Sequence, residues 1–383
     1  MRGFKEKIAM AYVNLVLSGG GQRCLAFVGF LRVARPMLSA VRNVYCVSGG
    51  AIAGLAFCLR LGEDAVLRSV SRRLSGGVRA DIGLLLSGFG LDDVRQRLGP
   101  LLVDLIVEAR GSDALRRGLA DPPLLATPAG AEAMTFADLT KATGMNLVVH
   151  AVSVLSGEVR LMSVDSTPNA RVVDAVCASC AVPLFFCPVR VEGDLLVDGC
   201  LAESYPFRSF ASHAAEATAA AKSPPAGPSE ASAAAPSPAL RATVPRAGQG
   251  ETGESRPAGG ASTTVFATDT LVLSADFVAA ARCAAQQLSH PGQPLHEEQK
   301  PPEPASVLDY AVRVLGIFAS RCSRGEAVDA LGPRARVFRV NAACEVTASR
   351  VICDGLSPAA VSLLYRAGLD EGHRFMREEE TET

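Results

Sequence analysis

Histidine is scarce in this chain, with 5 residues in 383, and the scarcity limits the chemistry a serine could support. His213 borders an Ala/Pro/Ser tract, His290 and His296 fall in a proline-rich stretch, and His373 sits in the terminal helix. His150 lies mid-strand, where a core role is expected. None stands in an obvious triad position, so a serine hydrolase built on this chain needs a carboxylate as its base. A predominance of one charge is missing as well. The formal net charge is −1, which leaves no basic stripe and excludes nucleic acid as an expected partner. No apolar run approaches the roughly 18 to 20 residues of a membrane span. The N-terminus is basic and then apolar, but no small-residue cleavage site precedes its glycines, so "YVNLVLS" reads as a first strand rather than a leader. A second cysteine pair is also lacking. "CASC", Cys177 to Cys180, has no partner at zinc spacing, so no metal is expected there. The 11 cysteines sit mostly in apolar periodic segments (Cys24, Cys58, Cys177, Cys187), the usage of buried small hydrophobes in a reducing compartment. A cytoplasmic protein, peripheral at a membrane if it meets one, is the expectation.

What is present is a large apolar fraction, 49% of residues, enough for a sizeable core. Near-continuous apolar strands ("YVNLVLS", "VYCVS", "MNLVVHAVSV") alternate with helices ("QRCLAFVGFLRVAR", "GGAIAGLAFCLRL", "ARVVDAVCASCA"). That alternation predicts an α/β fold around a buried, mostly parallel sheet. Between Phe210 and Phe266 there is no aromatic residue, and the composition is mostly Ala, Pro, Ser and Gly with a few charges. Such a tract cannot offset its ordering entropy by burial, so residues 211–262 are expected to form a disordered insertion. Strand-like segments resume at Thr268–Ala275 and at Ala335–Asn341, either side of a Pro-rich loop at 289–305. The expected organisation is a catalytic core over 10–210, the insertion, and a continuation of the same domain over 263–376.

Three motifs carry chemistry. "LVLSGGGQRCLAF" places Gly19, Gly20 and Gly21 between a strand and a helix. A dinucleotide fingerprint is excluded because Cys24 replaces its third glycine and no acidic residue follows at the needed distance. A P-loop would need G-K-[ST]. A bare tight turn and an oxyanion hole both remain open. "VYCVSGGAIAG", Val44 to Gly54, puts Ser48 where a strand turns sharply into a helix. A nucleophile elbow needs small residues on both sides of the serine, here Cys46 and Gly50; a serine in a Gly-rich turn is the plainer alternative. "GDLLVDGCLAESYPF" gives Asp198-Gly199 after a short apolar strand, a turn by default.

Taken together and in order, these motifs resemble the patatin-like phospholipase family. The resemblance extends through "TFADLTKATGMNLVVHAVSVLSGEVRLMSVDSTPNARVVDAVCASCAVPLFFCPV" and covers most of Asn14 to Phe207. It implies a three-layer α/β/α sandwich with a mostly parallel central sheet, and a Ser-Asp dyad that explains the missing histidine. Carried over by position, Ser48 is the nucleophile, Asp198 the base, and Gly19, Gly20, Gly21 and Arg23 the oxyanion element, with Gly49 beside the nucleophile. The implied activity is lipid acyl-ester hydrolysis of the phospholipase A type, with no cofactor or metal. Its implied partners are a phospholipid or other acyl-ester lipid and a transiently touched membrane surface. Cys24, Cys46 and Cys200 depart from the family's small residues at these motifs. A catalytically weak scaffold that binds lipid or a protein is the alternative. The leucine-rich segment Ala80 to Ile106 is expected to be either a helical cap touching membrane or a pair of core helices. Arg68, Arg72, Arg73 and Arg79 suit anionic headgroups or a solvated helix face equally well.

Overall fold

Four short apolar segments pair in register to make the centre of the molecule: β1 (Asn14–Leu17), β2 (Asn43–Val47), β4 (Asn146–Ser153) and β9 (Thr270–Ala275). The computed structural model describes residues 12–77, 81–84, 90–109, 127–203, 206, 270–275, 335–340 and 356–382. The expected insertion at 211–262 and the Pro-rich loop at 289–305 lie outside the described residues. With β10 (Ala335–Val340), β8 (Asp194–Asp198), β7 (Val189–Val191) and β5 (Val159–Met162), the segments form one 8-stranded sheet in the order β10-β9-β1-β2-β4-β8-β7, with β5 also on β4. Pairing is parallel from β10 through β4 and antiparallel beyond it. Leu15, Leu17, Val44, Leu147, Val149, Leu271 and Leu273 are buried along these strands. Strands covered on both faces by helices read as continuous apolar runs for this reason. The result is an α/β/α sandwich with a mostly parallel central sheet.

The helices are α1 (Cys24–Ala34), α2 (Gly49–Cys58), α3 (Glu63–Arg73), α4 (Val94–Ala109), α5 (Pro128–Ala133), α6 (Phe136–Thr143), α7 (Val172–Ser179) and the long α8 (Pro358–Glu382). A second small sheet pairs β3 (Gly90–Asp92) with β6 (Leu184–Phe186). The start of α6 is fixed by a capping box, in which Thr135 and Asp138 satisfy each other's backbone N–H groups, and its end by Gly144 at φ 69°. At the other edge, Phe30 of α1, Phe338 of β10 and Phe375 of α8 meet with ring centroids 5.2–5.4 Å apart. Tyr12 adds a hydrogen bond to Glu379 at 2.7 Å.

The segment from Val94 onward is a core helix and not a cap. Leu98, Leu101, Leu102, Leu105 and Ile106 of α4 are all buried, against α3 and α7. The arginines of α3 face the acids of that helix: Arg73 holds Asp104 at 2.8 Å and Arg68 holds Glu108 at 3.7 Å. Side-by-side packing of α3 and α4 thus accounts for charges that suited headgroups on paper. Leu85, Leu86 and Arg79 lie outside the described residues. Among the described residues, no helix is long and apolar enough to cross a membrane.

Contact between α1 and α8 is closer than side chains permit. A Cβ on Gly368 would collide with the Ala26 carbonyl, and one on Gly29 with the Tyr365 carbonyl. On an exposed helix, Gly→Ala stabilises by about 1 kcal/mol. Gly368→Ala is expected to do the opposite and cost about 1 to 3 kcal/mol, because the obstacle is backbone and the helices must part. Urea unfolding of the two proteins checks the sign.

Candidate active site

Because β8 is antiparallel to β4 while β2 is parallel to it, the ends of β2 and β8 approach β4 from opposite directions. Val47 is level with His150 on one side, and Asp198 is level with Ala151 on the other. Ser48, one residue past Val47, therefore arrives beside Asp198. Its Oγ donates a hydrogen bond to Asp198 Oδ2 at 2.7 Å. Both residues are buried.

Ser48 holds φ 52°, ψ −133°, a conformation rare for any residue with a Cβ, and α2 begins immediately after it. The turn is sharp because two glycines follow. A Cβ on Gly49 would strike the Gly21 carbonyl and come within 2.9 Å of Cys24 Sγ; one on Gly50 would strike the Ser18 carbonyl. The elbow thus rests directly on the glycine loop. In that loop Gly19 and Gly20 are buried, Gly21 has φ 55°, and Gly20 C=O accepts from Arg23 N–H at 3.2 Å to close a short turn. The Arg23 side chain is buried, and its charge acts on the Cys24 thiol, partly opposing the effect of burial there.

Cys46, in place of an elbow glycine, has room because the residue facing it is Gly54. A Cβ at Gly54 would lie 3.3 Å from Cys46 Sγ. Burial pushes the thiols of Cys24, Cys46, Cys180 and Cys200 well up from the usual range. They stay protonated at neutral pH and are poor competing nucleophiles.

Asp198 is held on three sides. Its Oδ1 accepts from Cys200 N–H at 2.8 Å, its Oδ2 from Ser48, and its own N–H donates to Ala181 C=O at 2.9 Å. Burial nonetheless dominates, raising the carboxyl from 3.8 to about 6, with the Cys200 N–H and the Ser48 hydroxyl pulling the other way. At neutral pH the carboxylate is ionised, desolvated and hydrogen-bonded to a hydroxyl, which equips it to accept a proton. Gly199 is required next to it, since a Cβ there would come within 2.6 Å of His150 Nδ1. His150 is fully buried and pushed down to about 4 by burial. It is a core residue, as expected, although neither ring nitrogen has a hydrogen-bond partner; the Glu203 carboxylate stands 3.5 Å away.

One residue of the site escaped sequence reasoning. Ser179, at the end of α7, accepts the Ser48 N–H on its Oγ at 2.8 Å and donates to the His150 carbonyl at 2.6 Å. The available signal was the serine of "CASCAVP", inside the long stretch that carries the family resemblance.

A serine elbow over a mostly parallel α/β sheet is the setting in which the sequence comparisons fall. The family model described as patatin-like phospholipase matches residues 15–211. That is more than half of the chain, which belongs to this family. A curated relative, the probable lipid hydrolase 463L of Invertebrate iridescent virus 6, is 20% identical over 197 residues, covering 51% of this chain. The chain spans 62% of that relative's length. Among solved structures, VipD from Legionella pneumophila aligns over 96% of this chain and 67% of its own, with 14% identity and a TM-score of 0.47. ExoU of Pseudomonas aeruginosa, solved in complex with SpcU, aligns over 44% of this chain and 38% of its own, with 20% identity and a TM-score of 0.30.

An Asp whose folded pKa is raised binds protons more readily folded than unfolded. Its ionisation therefore opposes folding above about pH 6, and the penalty fades as pH falls toward 3.8. Asp198→Asn is expected to be more stable than wild type at pH 8 by about 2 to 3 kcal/mol, with the gap narrowing at pH 5. Melting temperatures at both pH values check this; a less stable Asn variant at pH 8 would contradict burial as the dominant cause.

Proposed function

We propose that the protein hydrolyses the acyl ester of a phospholipid or related lipid through a Ser48–Asp198 dyad and an acyl-enzyme intermediate. The observation that carries this reading is the 2.7 Å hydrogen bond from Ser48 Oγ to Asp198 Oδ2 at a backbone elbow. Asp198 takes the hydroxyl proton as Ser48 Oγ attacks the carbonyl carbon. The negative charge then developing on the carbonyl oxygen is met by backbone N–H groups of Gly49 and of the loop Gly19–Gly21, aided by the positive end of α2. Collapse of the tetrahedral intermediate breaks the C–O bond to the leaving alcohol, whose oxygen takes the proton back from Asp198. A water then gives a proton to Asp198 and its oxygen to the acyl carbon. Release of the fatty acid returns the proton to Ser48. Each lost oxyanion donor costs about 10²–10³ in rate.

Cys24, Cys46 and Cys200 do not favour a merely binding scaffold, since Gly54 accommodates Cys46 and both dyad residues are in contact. A lipid substrate also suits the surroundings. Leu201, in the turn after Asp198, and Leu184, in the segment after Ala181, are 37% and 55% exposed. They supply apolar surface for transient contact with a bilayer.

Ser48→Ala and Asp198→Asn are expected to lower turnover of a short-chain chromogenic ester and of phospholipid vesicles by about a thousandfold or more, with folding intact. Wild-type kcat/KM should fall with acidity through about pH 6, as Asp198 protonates. Turnover indifferent to Ser48 would sink the proposal.

A further inference from the structure

We propose that Ser179 is a positioning residue that sets the Ser48–Asp198 geometry, holding the elbow through its side chain while its own turn holds Asp198. The inference rests on the dyad reading above and extends it to a serine that lies in the stretch "CASCAVP" and to which the resemblance assigned no role.

Ser48 occupies a strained backbone conformation, φ 52°, that persists only where its surroundings enforce it. The glycine loop limits what can approach the elbow from one side. The elbow's own amide is fixed from the other side by Ser179 Oγ, at 2.8 Å. A serine hydroxyl can accept and donate at once, and here it does both, because the same Oγ donates to the His150 carbonyl at 2.6 Å. His150 is the β4 residue level with Val47, immediately before the elbow. The hydroxyl therefore ties the departing end of β2 back to the strand beside it.

Two residues on, Ala181 C=O accepts the Asp198 N–H at 2.9 Å. One short turn, Ser179 to Ala181, thus grips both members of the dyad: Ser48 through a side chain, Asp198 through the backbone. The turn is enclosed by apolar residues, and Ser179 itself is fully buried. Removing its hydroxyl leaves a donor at Ser48 and an acceptor at His150 without access to water. The easiest relief is rotation of the Ser48 peptide out of its strained conformation, which carries Oγ away from Asp198.

That movement has a signature that general loosening lacks. The groups facing Asp198 are the Ser48 hydroxyl and the Cys24, Cys180 and Cys200 thiols. The thiols are neutral, and the Cys200 N–H follows Asp198 in its own turn. Of these, the Ser48 hydroxyl is the one whose position depends on Ser179. Its hydrogen bond lowers the Asp198 pKa, so losing it moves the acid limb of the pH–rate profile to higher pH.

The test compares wild type, Ser48→Ala, Ser179→Ala and Ser179→Cys on a short-chain ester across pH. Cysteine keeps the site filled but is a weak acceptor, so it carries the test if the alanine variant fails to fold. Expected for Ser179→Ala or Ser179→Cys is a fall in kcat of about 10- to 100-fold at unchanged KM, with the acid limb shifted upward. A folded variant with wild-type kcat overturns the positioning role. So does a lower kcat with the acid limb in place, the outcome of a purely structural loss of active molecules. Retained turnover in Ser48→Ala would instead overturn the dyad reading itself.

Discussion

Everything at the candidate site depends on the fact that β4 has a parallel neighbour on one side and an antiparallel one on the other. In an all-parallel sheet, two strand ends that follow the same direction leave their side chains on the same rim but separated by whatever strand lies between. Here β8 turns back along β4, so Asp198 at its end and Ser48 beyond the end of β2 reach the same level of the sheet, beside Ala151. The 2.7 Å hydrogen bond joins side chains from the strands on either side of β4 and is buried. Burial raises the carboxyl to about 6, high enough to make it a useful base near neutrality and low enough to leave it ionised there.

The same closeness dictates the small residues. Gly49 and Gly50 let the elbow rest on the glycine loop, Gly54 gives Cys46 its space, and Gly199 lies against His150. Side chains at these positions would push apart the elements that carry Ser48 and Asp198. The cysteines at 24, 46 and 200 fit within this constraint because they are small. Burial keeps their thiols protonated, so they pack as hydrophobes do. Stability is spent at the site in two ways, on a desolvated carboxylate and on a strained serine.

The sheet and the motifs were legible because burial on both faces writes itself as apolar runs. "NLVL", "NVYCV" and "NLVVHAVS" all became central strands, and the strand-like segments near Thr270 and Ala335 joined the same sheet. The glycine loop, the serine and the aspartate were readable as separate turns, yet only their order suggested that they meet. What joins them is the antiparallel return of β8, and nothing in "GDLLVD" states a direction. Ser179 carried no assigned role for a related reason: its two hydrogen bonds go to the end of β2 and to β4, distant in sequence, and not to its own neighbours. The segment Ala80 to Ile106 stayed open between two readings because an amphipathic helix with leucines on one face looks the same whether it covers a core or a membrane. The acids on α4 that meet the α3 arginines were in view, but their pairing needed the crossing of two helices.

The central claim is that Ser48 is an activated nucleophile, and covalent trapping addresses it most directly. Wild-type protein would be treated with a fluorophosphonate, which phosphonylates an activated serine oxygen with loss of fluoride, and the adduct mapped by peptide mass spectrometry. The account predicts one adduct, on the peptide carrying Ser48, and its absence from Asp198→Asn. An adduct elsewhere, or none on a folded protein that hydrolyses esters, would contradict it.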